Sequence, residues 1–271
     1  MTLNEAKEIL STGGVENPLF DARMIFANIG KIPEHLLIDR STATDSESVK
    51  DAILRRSRRE PLQYIIGEVD FYREKYTVTP DCLIPRADTE TLVDFAVKSL
   101  PDGAKFLDLC TGSGCIAISV LNNTESTRAA AVDVSDAAIG VAKKNAQRNG
   151  VSERVDFFRL NVLDSAVDGE FFAVLSNPPY VSESAYRELE PEIYREPSIA
   201  FVGGEDGGDF YRALTPLYRD RISDEGFIAY EIGYDQAELL TEIAQKNRMS
   251  IEILRDLSGN PRVAVLRKSK R

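Results

Sequence analysis

From Lys105 onward, short apolar runs alternate with helix-length amphipathic segments, and that rhythm leaves few folds open. Residues 106–109 (FLDL) read as a strand and 116–121 as a helix. A second strand covers 128–132 and ends at Asp133; the helix at 135–149 closes on Gly150. Strands at 155–158 and 171–175 follow, then a helix at 209–219, a strand at 226–231, a helix at 236–246 and a last strand at 262–266. Strands joined through helices make βαβ units, so the expectation is a largely parallel sheet with helices on both faces. At 271 residues the chain can bury a real core, as one large domain or two unequal ones.

The N-terminal part has a different rhythm. Residues 1–60 look helical throughout, with Leu3, Ala6, Ile9 and Leu10 able to share one face. Asn17-Pro18 opens a second helix, Pro33 a short third, and Ser46 a fourth that runs to about Arg58. Helices this short are stable only when packed together, which predicts a small separate bundle. Residues 61–85 form a connector with strand character, broken by Gly67, in which Phe71, Tyr72, Tyr76 and Val78 suggest a hairpin. A helix then starts near Asp88. The cluster from Arg55 to Arg59 has two readings, a solvated helix end or a contact for an acidic partner or an RNA backbone.

Two loops carry the chemistry. After the first strand comes Asp108-Leu109-Cys110-Thr111-Gly112-Ser113-Gly114, whose glycines allow a tight turn and close approach of backbone to a ligand. A third glycine is missing for the dinucleotide fingerprint, and no lysine follows as in a nucleoside-triphosphate loop. The Asp108 carboxylate would repel a pyrophosphate but suits an ammonium or sulfonium, as at the amino-acid end of S-adenosylmethionine. Asp133, ending the second strand, is placed to accept hydrogen bonds from ribose hydroxyls, and Asn161 and Val162 after the third strand to border an adenine.

The second loop is Asn177-Pro178-Pro179-Tyr180, after the apolar run 171–175. Proline ends the ladder and pushes Asn177 toward an extended backbone, giving a stiff loop at a strand's carboxyl end. Asn177 and the neighbouring backbone carbonyls can accept both hydrogens of a planar NH2 group, and Tyr180 can pack on that group. Pinning both hydrogens turns the nitrogen lone pair out of conjugation, toward an electrophile. The bland alternative is a proline turn that only ends a strand.

Composition removes other chemistries. His35 is the only histidine and Cys82, Cys110 and Cys115 the only cysteines, which argues against a Cys/His metal site, histidine base catalysis or a disulfide framework. A net charge of -11 argues against a nonspecific grip on nucleic acid. No signal peptide or membrane-length apolar run is seen, so a cytoplasmic protein with reduced thiols is expected.

RREPLQYIIG, LIPRADTE, DLCTGSGCIAI, NPPY, GGEDGGDFY, EIGYDQ and DLSGNPRV occur in this order across nearly the whole chain. With them the chain resembles the class I S-adenosylmethionine-dependent methyltransferases, and within these the protein-(glutamine-N5) methyltransferases of peptide chain release factors. The resemblance implies an α/β fold: a seven-stranded methyltransferase sheet with an antiparallel last strand (residues 86–271), a small N-terminal helical bundle for substrate recognition (1–60) and a β-hairpin linker (61–85). It implies methylation of the Gly-Gly-Gln glutamine of class 1 release factors; a monomer is the default expectation. Asn177 and the Pro178 carbonyl would hold the amide hydrogens, with Pro179, Tyr180 and Arg86 shaping the substrate pocket. Asp108, Cys110, Thr111, Gly112 and Gly114 would meet the methionine portion of the cofactor, Asp133 the ribose, and Asn161 and Val162 the adenine. Cys110 departs from the family's usual glycine, where a positive φ would be costly; Val162 stands where many relatives have an acid, and Ala87-Asp88 replaces the commoner Pro-Glu. A methyltransferase for an exocyclic base amine would need the same hydrogen geometry. An inactive scaffold and a dehydrogenase are the remaining rivals.

Overall fold

The computed structural model describes residues 1–269. These form two compact units, one made of Met1–Glu68 with Glu190–Arg195, the other of Val69–Leu189 together with the described chain from Glu196 on. The helical unit is therefore longer than the expected 1–60, and it takes in a hexapeptide from far along the sequence.

The first unit contains α1 (Leu3–Thr12), α2 (Pro18–Asn28), α3 (Glu47–Ser57) and α4 (Leu62–Ile66), with a 3₁₀ turn at Glu34–Ile38. Thr2 caps α1 through a reciprocal pair with Glu5, and Ser46 caps α3. Leu3, Ala6, Leu10, Ala22, Ile25, Phe26, Val49 and Ile53 form its core. One expectation fails here: the segment LQYII, read as strand-like, is the helix α4. Pro61 opens it, and Gly67 closes it in the left-handed conformation, φ 86°. Apolar runs of this length do not distinguish a strand from a buried helix. The Arg55–Arg59 cluster is also resolved. Arg56 donates to Asp21 (2.6 Å) and Glu192 (3.0 Å), Arg59 to Glu190 (2.9 Å) and Glu192, and Arg55 to Glu60. Three of the arginines thus find their acidic partners within their own unit.

The hairpin of β1 (Glu68–Phe71) and β2 (Glu74–Thr77) comes next. The second unit continues with α5 (Glu90–Ser99), β3 (Lys105–Leu109), α6 (Cys115–Asn122), β4 (Arg128–Asp133), α7 (Asp136–Arg148), β5 (Val155–Arg159), β6 (Phe171–Ser176) and α8 (Glu183–Tyr186). Then follow α9 (Asp209–Arg219), β7 (Ile222–Glu231), α10 (Ala237–Lys246), β8 (Met249–Arg255) and β9 (Pro261–Lys268). Seven strands pair in the order β5-β4-β3-β6-β7-β9-β8. β9 inserts between β7 and β8, antiparallel to both, and the other pairs are parallel. β8 is the strand that the sequence reading did not find.

Alternate residues of the central strands feed opposite faces, as the pleat requires. Phe106, Ala131, Leu175, Ala229 and Val265 pack with Leu92, Ile116 and Val120 on one face. Leu107, Leu109, Val174, Ile228 and Leu266 pack with Tyr211, Leu214, Leu240 and Ile243 on the other. The sheet is buried on both sides, which explains why its central strands are continuous apolar runs. The chain steps outward from β3 to β5 and then returns to place β6 on the other side of β3. That reversal opens a crevice at the carboxyl ends of β3 and β6, the usual ligand position in open α/β sheets.

Candidate active site

A cavity of about 390 Å³ lies at this switch point, within the size range of small-molecule sites. Each neighbouring strand sends a loop to its wall: Cys110 and Gly112 after β3, Asp133 to Ser135 after β4, Leu160 to Leu163 after β5, Asn177 and Pro179 after β6. The sequence reading missed two further wall segments, Asp81 to Leu83 and the stretch holding Pro197, Ile199, Val202 and Gly203. The second was visible only as the glycine motif GGEDGG, whose purpose is now clear. A Cβ on Gly203 would sit 2.4 Å from the Pro179 carbonyl oxygen, and one on Gly207 2.1 Å from that of Tyr180. Glycine lets this loop lie directly on the Asn-Pro-Pro-Tyr backbone, joined to it by hydrogen bonds between Val181 and Phe201 and between Gly203 and Val181.

The cofactor loop splits into lining and supporting residues. Cys110 adopts φ 59°, the strained conformation that the departure from glycine raised as a concern. Gly112 has φ 54°, and a Cβ there would meet nothing within 4 Å, so its backbone faces open space. Asp133 joins the two neighbouring turns: Gly112 N–H donates to its Oδ2 and Ser135 N–H to its Oδ1, each at 2.9 Å. Burial outweighs these bonds and holds its pKa above the ordinary carboxylate value. Leu160, Asn161, Val162 and Leu163 make a mostly apolar stretch of the wall.

Asp108, Thr111 and Gly114 are not among the wall residues. Asp108 is fully buried, and its Oδ2 accepts from Thr111 Oγ1 (2.6 Å) and Ala117 N–H (3.2 Å). Burial, aided by the nearby Asp133 charge, pushes its pKa up to about 7. Its Oδ1 has no hydrogen-bond partner. A costly buried acid with an idle oxygen, set behind a glycine turn, creates a field that favours a cation in front of it. Gly114 opens α6 with φ 82°, where a Cβ would press to 2.9 Å from Ile118 Cδ1. A cavity with a carboxylate for a ribose, an apolar wall for a base and a buried acid facing cationic charge fits S-adenosylmethionine.

The Asn-Pro-Pro-Tyr loop is anchored by Ser176, whose Oγ donates to the Leu109 carbonyl (2.7 Å) and ties the ends of β6 and β3 together. Asn177 lines the cavity and donates from Nδ2 to Thr89 Oγ1 at 3.2 Å. Pro179 also lines it; Pro178 is buried and does not. Tyr180 is placed differently from the stacking platform expected. It is not a wall residue, and its hydroxyl donates to Glu231 Oε1 at 3.3 Å. Burial pushes the Tyr180 pKa well above the ordinary phenol value. Gln236 Nε2 donates to the Tyr180 carbonyl at 2.9 Å, which uses the EIGYDQ motif to fix the loop from behind. Arg86 does not reach the wall either. It pairs with Glu196, which also accepts from Ile84 N–H (3.0 Å), so Arg86 braces the segment that leads into Pro197. Thr89, Glu231, Gln236 and Glu196 were not singled out as site residues; the LIPRADTE and EIGYDQ motifs contain the first three, and Glu196 stands outside every motif.

No helix of the described residues is long and apolar enough to cross a membrane. The fold, with its glycine turn, the acid that ends β4 and the Asn-Pro-Pro-Tyr loop, defines a class I S-adenosylmethionine-dependent methyltransferase. Residues 2–67 match the PrmC N-terminal domain and 88–195 the methyltransferase small domain. A release factor glutamine methyltransferase of Fusobacterium nucleatum is 35% identical, over 98% of this chain and 78% of that protein. The one of Thermodesulfovibrio yellowstonii is 36% identical, over 92% of each. The chain belongs to the release factor glutamine methyltransferase family. Two solved structures share the fold of the catalytic unit. A methyltransferase from Pyrococcus furiosus has a TM-score of 0.53 at 18% identity, over 72% of this chain and 89% of that one. A ribosomal protein L11 methylase from Lactobacillus delbrueckii has 0.51 at 19%, over 68% and 81%.

Proposed function

We propose that this protein transfers the methyl group of S-adenosylmethionine to the side-chain amide nitrogen N5 of the glutamine in the Gly-Gly-Gln motif of class 1 peptide chain release factors. The observation that carries this reading is Asn177: it stands on the cavity wall with its NH2 already engaged by Thr89, which leaves Oδ1 as an uncharged acceptor. S-adenosylmethionine supplies an electrophilic methyl on a sulfonium. Asp133 holds the ribose, Asn161 and Val162 border the adenine, and Cys110, Thr111, Gly112 and Gly114 shape the turn around the methionine portion, with Asp108 behind it.

An amide nitrogen is a poor nucleophile because its lone pair is delocalised into the carbonyl. Asn177 Oδ1 accepts one of its hydrogens and the Pro178 carbonyl the other, which orients the lone pair toward the methyl. Both hydrogen bonds strengthen as positive charge develops on nitrogen, so they stabilise the transition state more than the ground state. The attacking nitrogen's attached proton becomes acidic as the new bond to the methyl carbon forms, and it passes to water, so no strong base is needed. Pro179 and Arg86 set the shape of the pocket, and Tyr180 acts from behind the loop.

The acidic balance of the chain, -11, and the internal neutralisation of Arg55, Arg56 and Arg59 favour a protein substrate over nucleic acid. We further read the enzyme as a cytoplasmic monomer, which light scattering on the purified protein tests for mass. The decisive assay offers labelled S-adenosylmethionine with purified release factor, a Gln→Ala version of its Gly-Gly-Gln loop, bulk rRNA and DNA. Label on the intact factor alone is expected. Label on nucleic acid and none on the factor would mean that the loop holds a base amine.

A further inference from the structure

Strand ends supply much of the cavity wall, but two of its segments come from elsewhere, Asp81 to Leu83 and the stretch from Pro197 to Gly204. One residue joins them. Glu196 immediately precedes the second segment, and its side chain is 2% exposed. Its Oε2 accepts from the Ile84 N–H at 3.0 Å, one residue beyond the first segment, and its Oε1 accepts from Arg86. Ile84 and Glu196 each stand before a proline, which presses both toward an extended backbone and stiffens the join.

Other groups fix the far end of each segment. Asn145 of α7 is fully buried; it accepts from Thr77 N–H (2.8 Å) and donates to the carbonyls of Thr77 (3.0 Å) and Ser113 (2.9 Å). That ties the chain ahead of Asp81 to the cofactor turn. The second segment ends on the Asn-Pro-Pro-Tyr loop, where Val181 N–H donates to the Phe201 carbonyl (2.8 Å) and Gly203 N–H to that of Val181 (2.9 Å). Glu196 is where the two remaining ends meet. A carboxylate has two acceptor oxygens, so it can hold a backbone amide and a guanidinium at once. The Arg86 side chain is 35% exposed and can turn to water, but Ile84 is buried, so its N–H depends on Glu196.

We propose that Glu196 is a positioning residue for the cofactor: it seams the two segments into one stretch of wall and so retains S-adenosylmethionine in the cavity. Without the seam each segment keeps one anchored end and loses the other. The cofactor must then order the wall as it binds, and its affinity falls by that cost. Asn177 is held separately, through Ser176 beside it and through Thr89, so retention of the cofactor and the methyl-transfer step should come apart. The seam also gives Ile84 and Arg86 of the LIPRADTE motif a shared purpose. It rests on the reading above only for the cofactor, which a methyltransferase for base amines would share.

The experiment compares Glu196→Ala and Glu196→Gln with the unaltered protein. Calorimetry gives the dissociation constant of S-adenosylmethionine, NMR the hydrogen exchange of the Ile84 amide, and turnover on release factor the kcat. Glu196→Ala is expected to raise the dissociation constant on the order of tenfold, the scale of one lost charge-assisted hydrogen bond, and to speed Ile84 exchange. Glu196→Gln keeps the volume and one acceptor oxygen, so its affinity should lie in between. Bound cofactor should slow Ile84 exchange in the unaltered protein and slow it less in Glu196→Ala. At saturating cofactor, kcat should stay within about twofold in both variants. A merely structural role would lower the unfolding midpoint and speed the exchange without moving the affinity. That result, an unmoved Ile84 exchange in both variants, or a loss of kcat at unmoved affinity would overturn the seam. If Glu196→Ala does not fold, Glu196→Gln carries the same comparison. If the unaltered protein binds S-adenosylmethionine and ignores release factor, the proposed function fails, and the dissociation constants still decide the seam.

Discussion

Replacing Asp108 by Asn gives a direct test of the buried acid behind the cofactor turn. Its pKa is pushed up to about 7 from an ordinary 3.8, chiefly by burial. Above about pH 4 the unfolded chain gives up this proton while the folded one keeps it, so stability falls as pH rises and levels off above about 7. At about 1.4 kcal/mol per pKa unit, the cost is about 2 kcal/mol near pH 5 and about 4 kcal/mol near pH 8. Asparagine carries no charge and can still accept from Thr111 and Ala117 through one oxygen. The variant should therefore gain about 2 to 3 kcal/mol on the unaltered protein between about pH 5 and pH 8. Urea unfolding followed by circular dichroism at several pH values measures this, and the difference between the two proteins removes the parallel contribution of Glu231, whose pKa burial likewise raises to about 7. In the same variant, affinity for S-adenosylmethionine should drop, because the field favouring a cation is gone. A stability difference that stays level across this pH range would refute the reasoning, since it would mean that Asp108 is already ionised in the folded protein near pH 5.

Asn177→Ala should leave S-adenosylmethionine affinity nearly intact in calorimetry and reduce kcat by roughly a hundredfold or more, the usual cost of one aligned hydrogen-bonding group; a matching loss of cofactor affinity would contradict that division of labour. Gly207→Ala forces a Cβ to 2.1 Å from the Tyr180 carbonyl at φ 76°, so it should lower stability by about 2 kcal/mol or more and depress kcat through the displaced loop, read by thermal unfolding and turnover. Arg56→Ala leaves Asp21 buried without its partner, the two side chains each being 9% exposed, and should destabilise the helical unit by about 3 to 5 kcal/mol in urea unfolding. An unchanged midpoint for Arg56→Ala would return that cluster to the role of a free basic surface.

Much of the fold was legible because periodicity reports burial. The parallel strands are buried on both faces and so appear as unbroken apolar runs, while the helix at 135–149 showed both its cap and its closing glycine. The places where the reading failed have physical reasons. LQYII is too short and too uniformly apolar to show a period. β8 (MSIEILR) lies at the sheet edge, half-buried and interrupted by charge, so it looked like surface. Thr89 and Glu231 carry no local signal, because each acts through a residue far away in the chain, Asn177 and Tyr180 respectively.

The sequence by itself determined which groups are available. Asn177 before two prolines must stand extended at a strand end, glycines must turn the cofactor loop, and a lone histidine in the N-terminal part argues against imidazole catalysis, all through local backbone and side-chain chemistry. The tertiary structure decided which of them face the cavity. Asp108, Tyr180 and Arg86 were read as contacts and are not among the wall residues, whereas Pro197 to Gly204 were not read as contacts and contribute to it. Exposure to a ligand is set by what packs behind a loop, and that depends on the return of β6 beside β3 and on glycines at 203 and 207 that admit a second backbone.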